Sequence, residues 1–340
     1  MAGRSAGQGR AAGYSRPMPD VAPPPAGAPV VLARVVRSGF VEGVHTGSAV
    51  ALDPGGGPVV LAGAPDHPVL PRSSAKLLQA VAMLRAGLGL DGELLALACS
   101  SHSGEAYHLD GVQRVLAAAR LDVDDLRNTP DLPFGVQQRL VAQRLGEQPS
   151  RAAQNCSGKH AAMLATCRVN GWTIEDYLDP GHPLQRRIAA TIADLAGEPV
   201  AATGVDGCGA PVAAIPLVGL ARAFARIATA AAGTPEGRVA DAVRSHPAWL
   251  GGTGRDVTAL VRGVPGLIAK DGAEAVYAAA LPDGRAAALK IADGSDRARP
   301  VVMAALLRRL GVDAPVLEDL SRAPVLGHGI PVGAVEPVGL

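Results

Sequence analysis

The order of residue patterns along this 340-residue chain constrains its fold more than any single motif does. Residues 30–62 turn quickly: Val-, Ala- and Leu-rich runs at 30–36, 40–45, 48–52 and 58–62 are broken by Ser38-Gly39 and by Asp53-Pro54-Gly55-Gly56-Gly57. Short apolar runs between such breaks read as strands of an antiparallel meander. From residue 71 to 264 apolar residues recur instead at three- and four-residue spacing, without β-branched alternation, as helices require. Helices are expected from Pro71 through 84 and at 91–99, 109–120, 134–145, 158–169, 183–195, 211–230, 236–243 and 255–264. The strand pattern returns at 266–270, 275–281 and 286–291, and a last helix is expected at 297–310. Strands at both ends with helices between them imply an α+β fold. In it, N- and C-terminal strands share one antiparallel sheet flanked by helices, and a helical region is inserted between them. One domain is expected over 29–340, with its sheet layer near 29–64 and 265–312 and its helical region near 71–264.

Apolar residues make up 48% of the chain but aromatic ones only 3%, so the core must be built from Ala, Val and Leu. A net charge of +1 with no basic run gives nucleic-acid binding no electrostatic footing. No run of apolar residues is long enough for a membrane span. Residues 1–28 are rich in Gly, Ala and Pro and lack the apolar segment of a secretory signal, so a disordered tail is expected there. Cys99, Cys156, Cys167 and Cys208 are too few for a disulfide scaffold and read as reduced thiols of a cytoplasmic protein or as metal ligands.

The segment Pro71-Arg72-Ser73-Ser74-Ala75-Lys76 opens a helix pattern. Proline is tolerated in a first turn, where its missing N–H costs no intrahelical bond. Ser73 and Lys76, three apart, share a face. A hydroxyl needs a base to become a nucleophile, and a lysine in an apolar wall can lose its proton and serve as one. The alternative for this tetrad is an ordinary helix start with a solvated lysine.

Further along, Cys99-Ser100-Ser101-His102-Ser103-Gly104-Glu105 interrupts a helix pattern with small polar residues. It is either a capped turn or a second hydroxyl near a site, with His102 and Glu105 supplying hydrogen bonds. Asn155-Cys156-Ser157-Gly158-Lys159-His160 opens another helix, with Cys156, Lys159 and His160 on one side. Asp206-Gly207-Cys208-Gly209 is a glycine-rich loop. Cys156 and Cys208, one at a helix start and one in a tight loop, can share a metal ion such as zinc. Cys167 lies inside an apolar helix pattern and reads as a core thiol. Lys270-Asp271-Gly272 ends a strand-like run, as either a solvated turn or a lysine aimed into a cleft.

Taken in order, these blocks, with Lys270-Asp271-Gly272-Ala273-Glu274 and Leu289-Lys290-Ile291-Ala292-Asp293-Gly294-Ser295, resemble the L-asparaginase II family from about Val31 to His328. The resemblance implies a fold similar to serine β-lactamases and glutaminases, and hydrolysis of asparagine to aspartate and ammonia. It implies two serine–lysine pairs, Ser73 with Lys76 and Ser101 with Lys270. It also implies a zinc held by Cys156, Lys159 and Cys208 with Asp206 nearby. Substrate-binding positions are then expected at Arg72, His102, Glu105 and Asp206, in a cytoplasmic homodimer. Two departures stand out: Asp271 occupies a position where a small hydroxyl residue is expected, and the stretch from Lys76 to Cys99 is a few residues short. A penicillin-recognising serine hydrolase, another amidase such as a glutaminase, and a non-catalytic metal-binding protein are the competing readings.

Overall fold

The computed structural model describes residues 28–340; the expected tail lies outside the described residues, apart from Ala28. Its strands are β1 (Val30–Arg37), β2 (Phe40–Leu52), β3 (Pro58–Ala62), β4 (Pro68–Val69), β5 (Ala202–Val205), β6 (Pro211–Pro216), β7 (Ile268–Gly272), β8 (Val276–Ala280), β9 (Ala286–Ile291), β10 (Ala323–Gly327) and β11 (Ile330–Pro337). Eight of them form one antiparallel sheet in the order β10-β11-β1-β2-β9-β8-β7, with β3 on β2; β4, β6 and β5 form a second, small sheet. The α+β architecture expected from the strand–helix–strand order is the one observed.

The two strands expected at 40–45 and 48–52 are a single strand, β2. Its first half pairs with β1 and its second half with both β9 and β3. Gly47 sits at this handover, opposite both Val30 and Ile291, where a Cβ would collide with the Lys290 carbonyl. The central strands are small-residue strands: Ala278, Ala279, Ala280, Ala286, Ala287 and Ala288 are fully buried. Every residue of β8 is buried, so both of its faces are covered. The helices Leu217–Ala228 and Arg299–Arg309 both pack on β2, β8 and β9. Alanine lets helix and sheet backbones approach closely, which is how a chain poor in aromatics fills its core.

Two differences from the sequence pattern have physical reasons. The helix expected at 211–230 is split into β6 and the helix Leu217–Ala228. Pro216, extended at ψ 152, cannot donate a helical bond and starts the helix rather than continuing one. The hairpin β10–β11 widens the sheet beyond residue 312, with β11 paired to β1 at Val35↔Val335. Among the described residues no helix is long and apolar enough to cross a membrane.

Candidate active site

Ser73 lies in a tight 3₁₀ turn, Arg72–Ala75, which leads directly into the helix Lys76–Arg85. In such a turn residues three apart eclipse, so Ser73 and Lys76 stand on one side. The turn is pressed against the end of β7. The buried Ser74 hydroxyl donates to the Lys270 carbonyl at 3.0 Å. A Cβ on Gly272 would come within 2.8 Å of the Pro71 carbonyl oxygen, so only glycine allows this approach. Arg72 is left-handed at φ 51, a conformation that costs a non-glycine residue about 1–2 kcal/mol. Its guanidinium donates to Asp206 Oδ1 at 2.7 Å, which helps hold it there.

Lys76 is 1% exposed, and its side chain crosses to the polar loop after the helix Gly92–Ala98. Its ammonium donates to the Ser100 carbonyl at 2.5 Å, to Ser101 Oγ at 3.0 Å and to Cys156 Sγ at 3.1 Å. The loop is fixed by backbone bonds, Ser101 to the Leu250 carbonyl, His102 to Asn155 and Ser103 to Gly251. Lys76 therefore meets Ser101 directly, while Ser73 is partly exposed one turn before it.

Lys270 is fully buried and bonds to its neighbour: its ammonium donates to the Asp271 carbonyl at 2.8 Å and to the Asp271 carboxylate. Burial lowers its pKa to about 8, although Asp271 opposes that shift, and the charge of Lys76 lowers it further. Asp271 is itself bonded by Arg255 at 2.6 Å and has Arg299 at 3.8 Å. Although burial opposes it, Lys270, Arg255 and Arg299 together hold the Asp271 carboxyl far below the usual range.

Cys156 precedes the helix Ser157–Asn170, and Cys208 lies in the turn joining β5 to β6. The two cysteines pack together with Ala210 and Leu178, and the Lys159 ammonium donates to Cys208 Sγ at 3.1 Å. Interaction with Cys156, aided by the charge of Lys159, lowers Cys208 to about 5 against the effect of burial. Cys156, whose thiol donates to Asn155 Oδ1 at 3.3 Å, is raised to about 12 by its interaction with Cys208 and by burial. Burial pulls Lys159 down, but Cys208, Cys156 and Asp206 outweigh it and leave the lysine raised. Among the described residues no group of three His, Cys, Asp or Glu side chains is arranged to hold a metal ion.

The remaining expected positions bond to the protein itself. His102 is buried, and its Nε2 lies 2.8 Å from Ser157 Oγ, whose proton goes to the Ala152 carbonyl. The imidazole must then be the donor. Burial keeps it neutral by lowering its pKa well below the usual value, with His108 and Lys76 assisting. Glu105 caps the helix Ala106–Ala118, and its carboxylate accepts from Thr253 N–H at 2.6 Å and Thr253 Oγ1 at 2.9 Å. Cys99 and Cys167 are core thiols, raised to about 12 by burial. Arg255 and Arg299, which surround Asp271, carried no motif in the sequence. The one available signal was the unusual Asp271. Two cavities lie away from these residues, one beside Leu88, Val115 and Val169 and another beside Arg308 and Glu318.

An α+β chain that gathers serine hydroxyls, buried lysine amines and paired thiols between a sheet edge and helix starts has the makings of a polar hydrolytic site. The family model of L-asparaginase II matches residues 33–337, nearly all of the described chain. The chain belongs to the L-asparaginase II family and so to the asparaginase-type amidohydrolases. None of the curated proteins compared matches it.

Proposed function

We propose that the protein hydrolyses L-asparagine to L-aspartate and ammonia through a serine hydroxyl activated by a buried lysine. One observation carries this reading. Lys76, one turn after the partly exposed Ser73, reaches Ser101 Oγ at 3.0 Å inside a wall that excludes water. In the proposed reaction Lys76 first gives up one proton to solvent and, as the neutral amine, accepts from the Ser101 hydroxyl; Ser73 Oγ then bonds to the side-chain amide carbon while its proton passes to that amine through Ser101. That proton then goes to the amide nitrogen, the C–N bond breaks and ammonia leaves. Water, giving its proton to the same amine, attacks the ester. The C–O bond breaks, aspartate departs and Ser73 regains its proton. The bond from Lys76 to Ser101 also favours a second reading, with Ser101 as the attacking group. Arg72 and Asp206 offer opposite charges for the carboxylate and ammonium of an amino-acid head group.

Zinc suits the donor set of Cys156, Cys208 and Lys159 by its affinity for thiolate and nitrogen. Bound there, it would supply a positive charge that orients the head group. Lys159 would have to bind as the neutral amine. Deprotonating a free lysine at pH 7 costs about 4–5 kcal/mol, which a divalent cation can offset. Cys208→Ala should then leave zinc substoichiometric by metal analysis and raise KM for asparagine more than it lowers kcat. Wild-type zinc content in that variant would remove Cys208 from the ligand set. A homodimer in a reducing, cytoplasmic setting belongs to the same proposal; the four free cysteines fit such a setting.

Ammonia release from asparagine and glutamine, and ring opening of a β-lactam followed by absorbance, each with and without zinc, test the substrate. Asparagine should exceed glutamine in kcat/KM by at least about 10- to 200-fold, the range one methylene provides. Equal efficiencies would point to a general amidase, and faster β-lactam turnover to a penicillin-recognising hydrolase.

A further inference from the structure

We propose that Arg255 is a positioning residue that locks the loop carrying Ser101 to the strand carrying Lys270, so that both groups of the serine–lysine machinery are held in register by one guanidinium. The inference rests on the serine–lysine reading above and adds a residue to it.

Arg255 caps the helix Asp256–Gly263, and its side chain is 16% exposed. One nitrogen donates to the Ser101 carbonyl at 3.2 Å and the other to Asp271 Oδ2 at 2.6 Å. The second oxygen of that carboxylate accepts from Lys270. The guanidinium also lies over the Phe134 ring, 4.7 Å from its centroid. Four chain segments thus meet on one planar group: the Ser101 loop, β7, the start of the helix at 256 and the segment carrying Phe134. A buried carboxylate is costly unless it is paired and hydrogen-bonded, and Lys270 alone fills only one of its oxygens. Arg255 fills the other while fixing the peptide that bears the Ser101 hydroxyl. A lysine in its place would keep the charge but lose the fork that reaches both partners. The charged groups around Lys270 are Asp271 on its own strand, Lys76, Arg255 and, through Asp271, Arg299; Cys99 also lies close. Arg255 is thus placed to act on Lys270 only through Asp271 and the field.

The test uses the full chain with Arg255→Lys and Arg255→Gln, folding checked by circular dichroism and thermal melting. Two rates are read: ammonia release from asparagine, and covalent labelling of the active serine by a fluorophosphonate. Losing one charge-assisted hydrogen bond should lower kcat and labelling about 10- to 100-fold in both variants, with KM little changed. A folded Arg255→Lys protein with wild-type rates, or a loss confined to KM, would overturn the proposal. Should either variant fail to fold, Phe134→Ala carries the test. It strips the ring from the guanidinium at a position already 44% exposed, and labelling should fall about two- to fivefold. Unchanged labelling there overturns the proposal too. If the wild type releases no ammonia from asparagine yet its labelling falls in the Arg255 variants, the substrate reading fails and the role of Arg255 stands.

Discussion

Ser73→Ala is expected to abolish turnover, with a loss on the order of 10⁴–10⁶-fold, as for other serine nucleophiles. Ser73 is the partly exposed hydroxyl at the site; Ser101 is 4% exposed and is bonded by Lys76. Ser101→Ala should cost less, about 10²–10⁴-fold, because it removes a proton bridge and not the bond-making atom. Neither change disturbs the docking of the turn, which depends on the Ser74 hydroxyl and the Lys270 carbonyl. Mass analysis of the acyl-enzyme, or of fluorophosphonate-labelled protein, should find the adduct on the peptide containing Ser73. An adduct on Ser101, with Ser73→Ala still active, would exchange the two roles.

Lys76→Met should be nearly as severe, with kcat reduced about 10²–10⁴-fold, because the proposed reaction routes the proton of either candidate serine through that one amine. The expected effect on stability is small by comparison. Methionine fills a similar length without a charge to desolvate, while the Ser100 carbonyl, Ser101 and Cys156 each lose a bond from Lys76. An unpaired buried acceptor costs about 1–3 kcal/mol, so the variant should fold with a lowered melting temperature. Substrate affinity should change less than kcat, since Arg72 and Asp206 are untouched. A folded Lys76→Met protein that retains a tenth of wild-type turnover would exclude Lys76 as the base.

Much of this was legible before any coordinates. The strand–helix–strand order gives the sheet, and each chemistry-bearing block is a short local pattern. Pairing across the fold was not. Ser73 and Lys76 share a face because of local geometry, whereas the bond from Lys76 to Ser101 depends on where the Ser101 loop docks against Leu250 and Asn155. β6 hid inside a helix-like run because five of its six residues are buried and no alternation survives. The hairpin β10–β11 hid among glycines and prolines. Its signal was the two-residue break His328-Gly329, both residues at positive φ, as tight hairpins demand. Arg255 carries no pattern at all: what defines it is the pair of oxygens it joins, the Asp271 carboxylate 16 residues on and the Ser101 carbonyl 154 residues back.

The pairing of β2 with β9 has a consequence in time. Gly47 meets Ile291, so a nascent chain that has made β1, β2 and β3 waits for β9 while the whole helical region is synthesised. At ordinary elongation rates that delay is on the order of 10–50 s. During it β2 presents an unpaired edge, which is a template for wrong partners. The side chains of the proposed serine–lysine machinery are divided across the same gap, Ser73 and Lys76 made early and Lys270 late. The site is therefore among the last parts of the molecule to assemble, and an ordered active centre reports that the sheet has closed.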